Sequence, residues 1–313
     1  MYVEERQGRA MGSDAQVIVY ARTAEAARTC ADLALVRVAL LEQCWSRFRS
    51  DSELNGLNSR AGTGPVAVSD DLATLVQAML EASEWTQGAF DPTVLGVMNE
   101  LGYDRDFAAV IAHESLASAR EALSPTRGTA GIVVEAHTVT LPSGIGIDPG
   151  AIGKGLAADI VASEIHEAGA DGILVNLGGD VSTRGTADGQ PWIVGIRDDR
   201  WADSRCVHEV SLAGDRRAVA TSSSLRRRWN GRHHVIDPLT GLPSASDVAQ
   251  VTVIAPTGWQ AEAATTLALV RGASAAEQWL SSQGLDALLF SHDQDAPPHR
   301  VTSPQRIPEF QNA

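Results

Sequence analysis

The chain has 313 residues, enough for one large domain or two modest ones with an ample core. A hydrophobic content of 44% with 20% charged residues describes a globular protein, and a net charge of −14 argues against a nucleic-acid groove or an anionic membrane surface as partner. Three cysteines without CxxC spacing, no apolar run of about 18 residues, and an N-terminus "MYVEERQGRAMG" lacking a signal-type apolar region predict a cytoplasmic chain with no stable membrane insertion.

In chain order, residues 15–21 ("AQVIVYA") predict a strand, and 24–48 a long amphipathic helix that Thr23 can cap. A second helix is expected over 70–88, ending at Gly88, and a hairpin over 131–142 with its turn near Ala136 and His137. A helix follows over roughly 152–168. Strands are expected at 171–176, 191–197, 208–212, 217–221, 233–236 and 249–255. Helices from Gln260 to Val270 and from Ala273 to Leu280 precede a strand at 286–290, and the residues from 291 to 313 read as a loosely ordered tail. Strands joined mostly by short turns, with helices between them, predict an α+β fold with a mixed or antiparallel sheet.

Four stretches carry chemistry. The first is "IDPGAIGKGLAADIV" (147–161), which holds Lys154, the only lysine of the chain. A glycine-rich turn opening a helix offers free N–H groups and a positive dipole end, as a phosphate requires. It matches neither a Walker A loop nor GxGxxG. The second, "VNLGGDVSTRG" (175–185), is another glycine turn, flanked by Asn176 and Asp180. The third, "AVATSSSLRRRWNGRHHVIDPLTGLP" (218–243), runs from hydroxyls through arginines to His234 and Asp237. Turn chemistry alone accounts for Asp237, and a satisfied core histidine for His234. The fourth, "AEAATTLALV" (261–270), places Glu262 and Thr266 on one helix face, where carboxylate and hydroxyl suit a hard cation such as Mg²⁺ or Ca²⁺.

Together and in this order, the four stretches resemble the ApbE family of FAD:protein FMN transferases. That family's D-x-G-G/A-I-A/G-K-G-x-x-x-D pattern corresponds to Asp148 through Asp159, and its N-L-G-G-D to Asn176, Gly178, Gly179 and Asp180. Its T-S-G with a downstream H-I-I-D-P-x-T-G corresponds to residues 221–241, and A-D-A-x-A-T to residues 261–266. "RAMGSDAQV", "WSRFRSDSELNGLN" and "GAFDPTVLGVMNELGYD" resemble the family's earlier signatures, so the likeness covers roughly residues 10–290 as a single large domain.

The resemblance implies an ApbE-like (T-fold-like) architecture of sheets packed with helices. It implies Mg²⁺-dependent transfer of FMN from FAD to a Thr or Ser hydroxyl of an acceptor protein, with release of AMP. The alternatives are FAD binding without transfer, or an FAD pyrophosphatase giving FMN and AMP. The metal would be held by Glu262, Thr266 and a backbone carbonyl near Ala151. Lys154 would place a point charge by the phosphates, His234 would take the acceptor's proton from an unperturbed pKa near neutral, and Asp237 would assist. Met11, Tyr103, Asp104, Asp159, Asn176, Gly178, Gly179, Asp180, Thr221 and Ser222 would contact the flavin nucleotide. Three positions depart from the family's pattern: Glu262 for aspartate, Ser223 for glycine and Ser13 for threonine. The oligomeric expectation is a monomer or homodimer.

Overall fold

The structure, a computed structural model, describes residues 1–112, 126, 128–203, 205–214, 216–302 and 310–312. Among these, eight strands follow one another in chain order through one sheet. They are β1 (Tyr2–Ala10), β2 (Ser13–Ala21), β3 (Gly172–Leu177), β4 (Asp180–Gly185), β5 (Arg216–Ser223), β6 (Val248–Ala255), β7 (Asp286–Ser291) and β8 (His299–Val301). Each neighbouring pair is antiparallel. The helices that cover it are α1 (Ala24–Trp45), α2 (Asp70–Trp85), α3 (Gly153–Glu167), α4 (Gly258–Arg271) and α5 (Ala273–Gln283). The expected α+β class is observed, with its large sheet antiparallel throughout.

Local chemistry sets the boundaries. Thr23 caps α1 by accepting the Ala26 N–H at 3.1 Å, and Ser69 caps α2 in the same way. The second helix stops at Trp85, short of Gly88. There the Thr86 hydroxyl bonds back to the Ala82 carbonyl and accepts the Phe90 N–H, which turns the chain early. The 131–142 hairpin forms as expected, with Ala136 at a φ of 47° in its turn.

Both faces of the sheet are buried, which explains why β6 is apolar or sterically hidden at every position. Val17, Val19, Ile173 and Val175 face α1 and α3; Val251, Val253 and Ala255 face α4. On the opposite face, Leu174, Val181, Val219, Ile254 and Phe290 pack against a small three-stranded sheet. That sheet is built from Trp192–Arg197, Cys206–Leu212 and Phe310–Asn312.

Three expectations change. Residues 180–185 form β4, so the "NLGGD" stretch is a tight hairpin: Leu177 pairs with Asp180, and Gly178 and Gly179 have φ of +67° and +100°. That two-residue turn needs positive φ at both positions, which glycine supplies freely. The strand expected at 233–236 is broken into Arg232–His233 and Ile236–Asp237, because each pairs with a different partner. The tail expected to be loose contributes β8 and the 310–312 strand, with Val301 and Phe310 buried. One apolar anchor per strand is too sparse a signal to read as periodicity. Residues 303–309 and 313 of that tail lie outside the described residues.

Helices α3 and α4 touch backbone to backbone at their first turns. A Cβ on Gly155 would stand 2.3 Å from the Gly258 carbonyl oxygen, and one on Gly258 would stand 2.4 Å from the Gly155 oxygen. Gly155→Ala is therefore expected to lower unfolding free energy by about 1–3 kcal/mol or more, through overpacking against backbone. Gly56→Ala, where a Cβ meets nothing within 4 Å in the Glu53–Asn58 helix, is expected to raise it by about 0.4–1 kcal/mol. Urea unfolding of the two variants checks both signs.

Candidate functional site

At one end of the sheet, the β3–β4 turn, the last residues of β5 and the first turn of α3 meet. Lys154 is the second residue of α3, and its ammonium bonds to Asp180 at the start of β4 and to Glu262 Oε1 on α4 at 2.7 Å. The other oxygen of Glu262 accepts the Gly155 N–H at 2.8 Å. Asp180 and Glu262 are both buried. Asp180 Oδ1 has no hydrogen-bond partner among the described residues. Burial alone would push the Lys154 pKa down, but the carboxylates of Asp180 and Glu262 outweigh it and hold the ammonium above its usual range. Burial raises the Glu262 carboxyl, against the opposing pull of Lys154.

Lys154 stands on the wall of an open cavity of about 2010 Å³. Asn176, Gly178 and Gly179 border it, and Asn176 Oδ1 accepts the Gly179 N–H at 2.9 Å, which fixes the turn. Ala151, Glu262 and Thr266 also border it, as do Thr221 and Ser222. Those last two hydroxyls lie 2.8 Å from Thr252 Oγ1 and Thr265 Oγ1 respectively. Met11, in a left-handed turn with φ of 51°, lines the cavity together with Tyr103. Ser223 accepts the Leu225 N–H and avoids positive φ, so serine fits where a glycine was expected without backbone strain.

Three expected residues do not reach the cavity. Asp159 is buried behind it, accepting the Ser182 hydroxyl and the N–H groups of Gly258 and Trp259 at 2.6, 2.8 and 3.2 Å. It ties α3 to the start of α4, where a carboxylate complements free N–H groups. Asp104 pairs with Arg105, which holds its carboxyl below the usual range. Asp237 accepts the Leu239 N–H through its side chain and the Gly241 N–H through its carbonyl, so turn geometry explains it.

His234 borders the cavity, but its pKa is not near neutral. Burial, followed by the charges of Arg227, His233 and Lys154, pushes it down to about 3. Its Nδ1 is buried and has no hydrogen-bond partner among the described residues.

Sequence reasoning missed Arg47. Its guanidinium is 3.1 Å from Asp148 in a buried ion pair and donates to the Tyr103 carbonyl at 2.7 Å. It lies 4.2 Å from the Phe48 ring centre and 4.5 Å from that of Tyr103. Tyr103 is thereby held between Arg47 and Trp229, whose ring centre is 5.2 Å away. Arg47 lies just beyond the end of α1, about a hundred positions from Asp148, and no local signal in either stretch links the two.

Among the described residues no three His, Cys, Asp or Glu side chains cluster as a metal cage. Glu262 and Thr266 offer oxygen donors on the cavity wall, the chemistry that suits a hard cation, with the two Glu262 oxygens engaged by Lys154 and the Gly155 N–H. No helix among the described residues is long and apolar enough to cross a membrane.

The chain matches the model of the ApbE family over residues 11–289. It is 34% identical over 275 residues to the FAD:protein FMN transferase of Treponema pallidum, covering 80% of this chain and 74% of that protein. The corresponding protein of Vibrio cholerae is 31% identical, with 72% and 69% covered. The solved ApbE protein of Thermotoga maritima superposes with a TM-score of 0.80 at 25% identity, over 97% of both chains. The chain belongs to the ApbE family.

Proposed function

We propose that the protein transfers FMN from FAD to a threonine or serine hydroxyl of an acceptor protein, with AMP as the leaving group. The observation that carries this reading is the Lys154 ammonium, held between two buried carboxylates at a helix opening beside a cavity large enough to take a dinucleotide. The names of the relatives it matches over most of their length support the same reaction. Free thiols at Cys30, Cys44 and Cys206 support a reducing, cytoplasmic setting.

In the reaction, the acceptor oxygen bonds to the phosphorus on the FMN side of the pyrophosphate. The bond from that phosphorus to the bridging oxygen breaks, and AMP departs with that oxygen. Such a step depends on positioning and charge neutralisation more than on covalent help. Lys154 serves as a compact point charge for a phosphate oxygen, and the hairpin turn at Gly178 and Gly179 keeps the wall low enough for close approach. Glu262, Thr266 and the Ala151 carbonyl would hold a divalent cation such as Mg²⁺, which when bound supplies further neutralisation of the pyrophosphate.

His234 is the group for the acceptor's proton. It is neutral throughout the physiological range, chiefly because it is buried, and an arriving pyrophosphate would offset the smaller contribution of Arg227 and Lys154. Tyr103, backed by Arg47, and Met11 offer flat and polarisable surfaces to the ring systems.

Mixing the protein with FAD, Mg²⁺ and an acceptor domain is expected to add one FMN to the acceptor, read by intact mass, with AMP released in equal amount. AMP and free FMN without an adduct would identify a pyrophosphatase instead. Lys154→Gln is expected to lower kcat by roughly 10²–10³, the cost of losing one charge-stabilising donor. Lys154→Arg is expected not to restore it, because a planar fork does not fit between Asp180 and Glu262. Dialysis against EDTA is expected to stop transfer and Mg²⁺ to restore it, with Glu262→Gln raising the Mg²⁺ requirement at least tenfold.

The folded pKa of His234, about 3, lies below its ordinary value of 6.5. Between those values the unfolded chain binds the extra proton, so stability falls as pH drops below the ordinary value, by at most about 1.4 kcal/mol per pH unit. His234→Asn is expected to flatten that part of a urea-midpoint profile between neutral pH and the acid region. An unchanged slope would show that His234 is not held neutral by the fold.

A further inference from the structure

The strand Trp192–Arg197 is the outer strand of the small sheet, paired on one side only among the described residues. Residues 193–197, five in succession, border the cavity. Adjacent residues of a strand point to opposite faces, so a strand showing one face to a cavity contributes every second residue. Contribution from all five means that the cavity runs along the strand's edge. Such an edge presents N–H and C=O groups at alternate residues that have no ladder partner. The Arg197 carbonyl is already bonded to Gln250 Nε2 at 2.6 Å.

That bond shows where the edge leads. Gln250 Oε1 also accepts the Asp199 N–H at 2.7 Å, and Gln250 lies opposite Ser223 in the β5–β6 pair. Ser223 borders the cavity next to Thr221 and Ser222, on the wall that carries Lys154. An extended chain laid against the edge therefore runs onto the reactive wall. Its side chains would meet Ile18, Leu174 and Val181 below, and Ile193, which is 55% exposed, above. The cavity's 2010 Å³ is about twice the upper range for one small-molecule site, which leaves room for a second substrate.

We propose that the acceptor protein docks by adding an extended segment as a fourth strand along the free edge of Trp192–Arg197, delivering its hydroxyl to the Lys154 wall. The inference rests on the transfer reading above and names the recognition that reading lacks. Main-chain hydrogen bonds give affinity in this mode, and alternate side chains give specificity.

The test is steady-state transfer with FAD, Mg²⁺ and an acceptor domain bearing a Thr-containing flavinylation segment, comparing the unaltered chain with Ile193→Arg. The expected result is an acceptor KM raised at least tenfold, with FAD affinity, followed by flavin fluorescence, within twofold. Hydrogen exchange of the amides in 192–197 is expected to slow when the acceptor is added. If the unaltered chain transfers FMN and Ile193→Arg leaves the acceptor KM unchanged, the docking edge is overturned while the transfer reading stands. A raised KM without slowed exchange overturns strand pairing. A loss of FAD affinity assigns this part of the cavity to the dinucleotide and overturns the proposal. FAD binding with no transfer by the unaltered chain overturns both readings together.

Discussion

The contact between Gly155 and Gly258 is the constraint on which the site depends. Two helices that open on the same side of a sheet normally stand 8–10 Å apart along their axes, because side chains separate them. Here the first turns meet through backbone atoms, and the distance collapses at that one point. The consequence is electrostatic. Glu262, one turn into α4, can reach both the Gly155 N–H and the Lys154 ammonium, with 2.8 and 2.7 Å contacts. Asp159 secures the same junction from behind by accepting two N–H groups at the opening of α4. The glycines thus do not serve ligand approach alone; they set the spacing between an ammonium and a carboxylate carried on different helices.

That spacing decides which charges can exist there. A buried carboxylate left alone is driven towards its neutral form, and a buried ammonium towards its own. Asp180 and Glu262 sharing Lys154 resolve both problems with one cation fewer than the carboxylates need. One buried oxygen, Asp180 Oδ1, is left without a hydrogen-bond partner among the described residues. An incompletely satisfied buried acid is costly, so its retention points to a group that arrives with the ligand. A divalent cation accompanying an anionic pyrophosphate would be chemically suited to that role.

Much of this was legible in the sequence, for identifiable reasons. Glu262 and Thr266 sit four apart on α4, so local periodicity placed them on a common face before any tertiary contact was known, and Lys154 stood out as the only lysine, at a glycine-rich helix opening. The glycine pair at 178 and 179 announced a positive-φ turn, although the strand that follows it was hidden by its polar residues Asp180, Ser182, Thr183 and Arg184. Those polar groups are buried through pairing that no local pattern reveals, such as Ser182 with Asp159 and Arg184 with Ser163. Arg47 and Asp148 lie about a hundred positions apart, and nothing in either neighbourhood announces that they meet. Asp237 and Asp104 are the converse case: carboxylates inside motifs that stand outside the cavity, one partnered within its own turn and the other by its neighbouring arginine.

His234 joins these arguments. Burial is the largest cause of its low pKa, and the charges of Arg227, His233 and Lys154 add to it. A base placed so is a poor proton acceptor in the free protein. A bound pyrophosphate would offset the part of that depression that Arg227 and Lys154 cause, while the larger part, from burial, stays. Lysine suits this arrangement better than arginine. A compact ammonium can turn between Asp180, Glu262 and a phosphate oxygen with little movement, whereas a guanidinium fork would fix itself to one carboxylate. In a chain whose other long cations are all arginines, the site preserves the one residue whose charge is small enough to be shared.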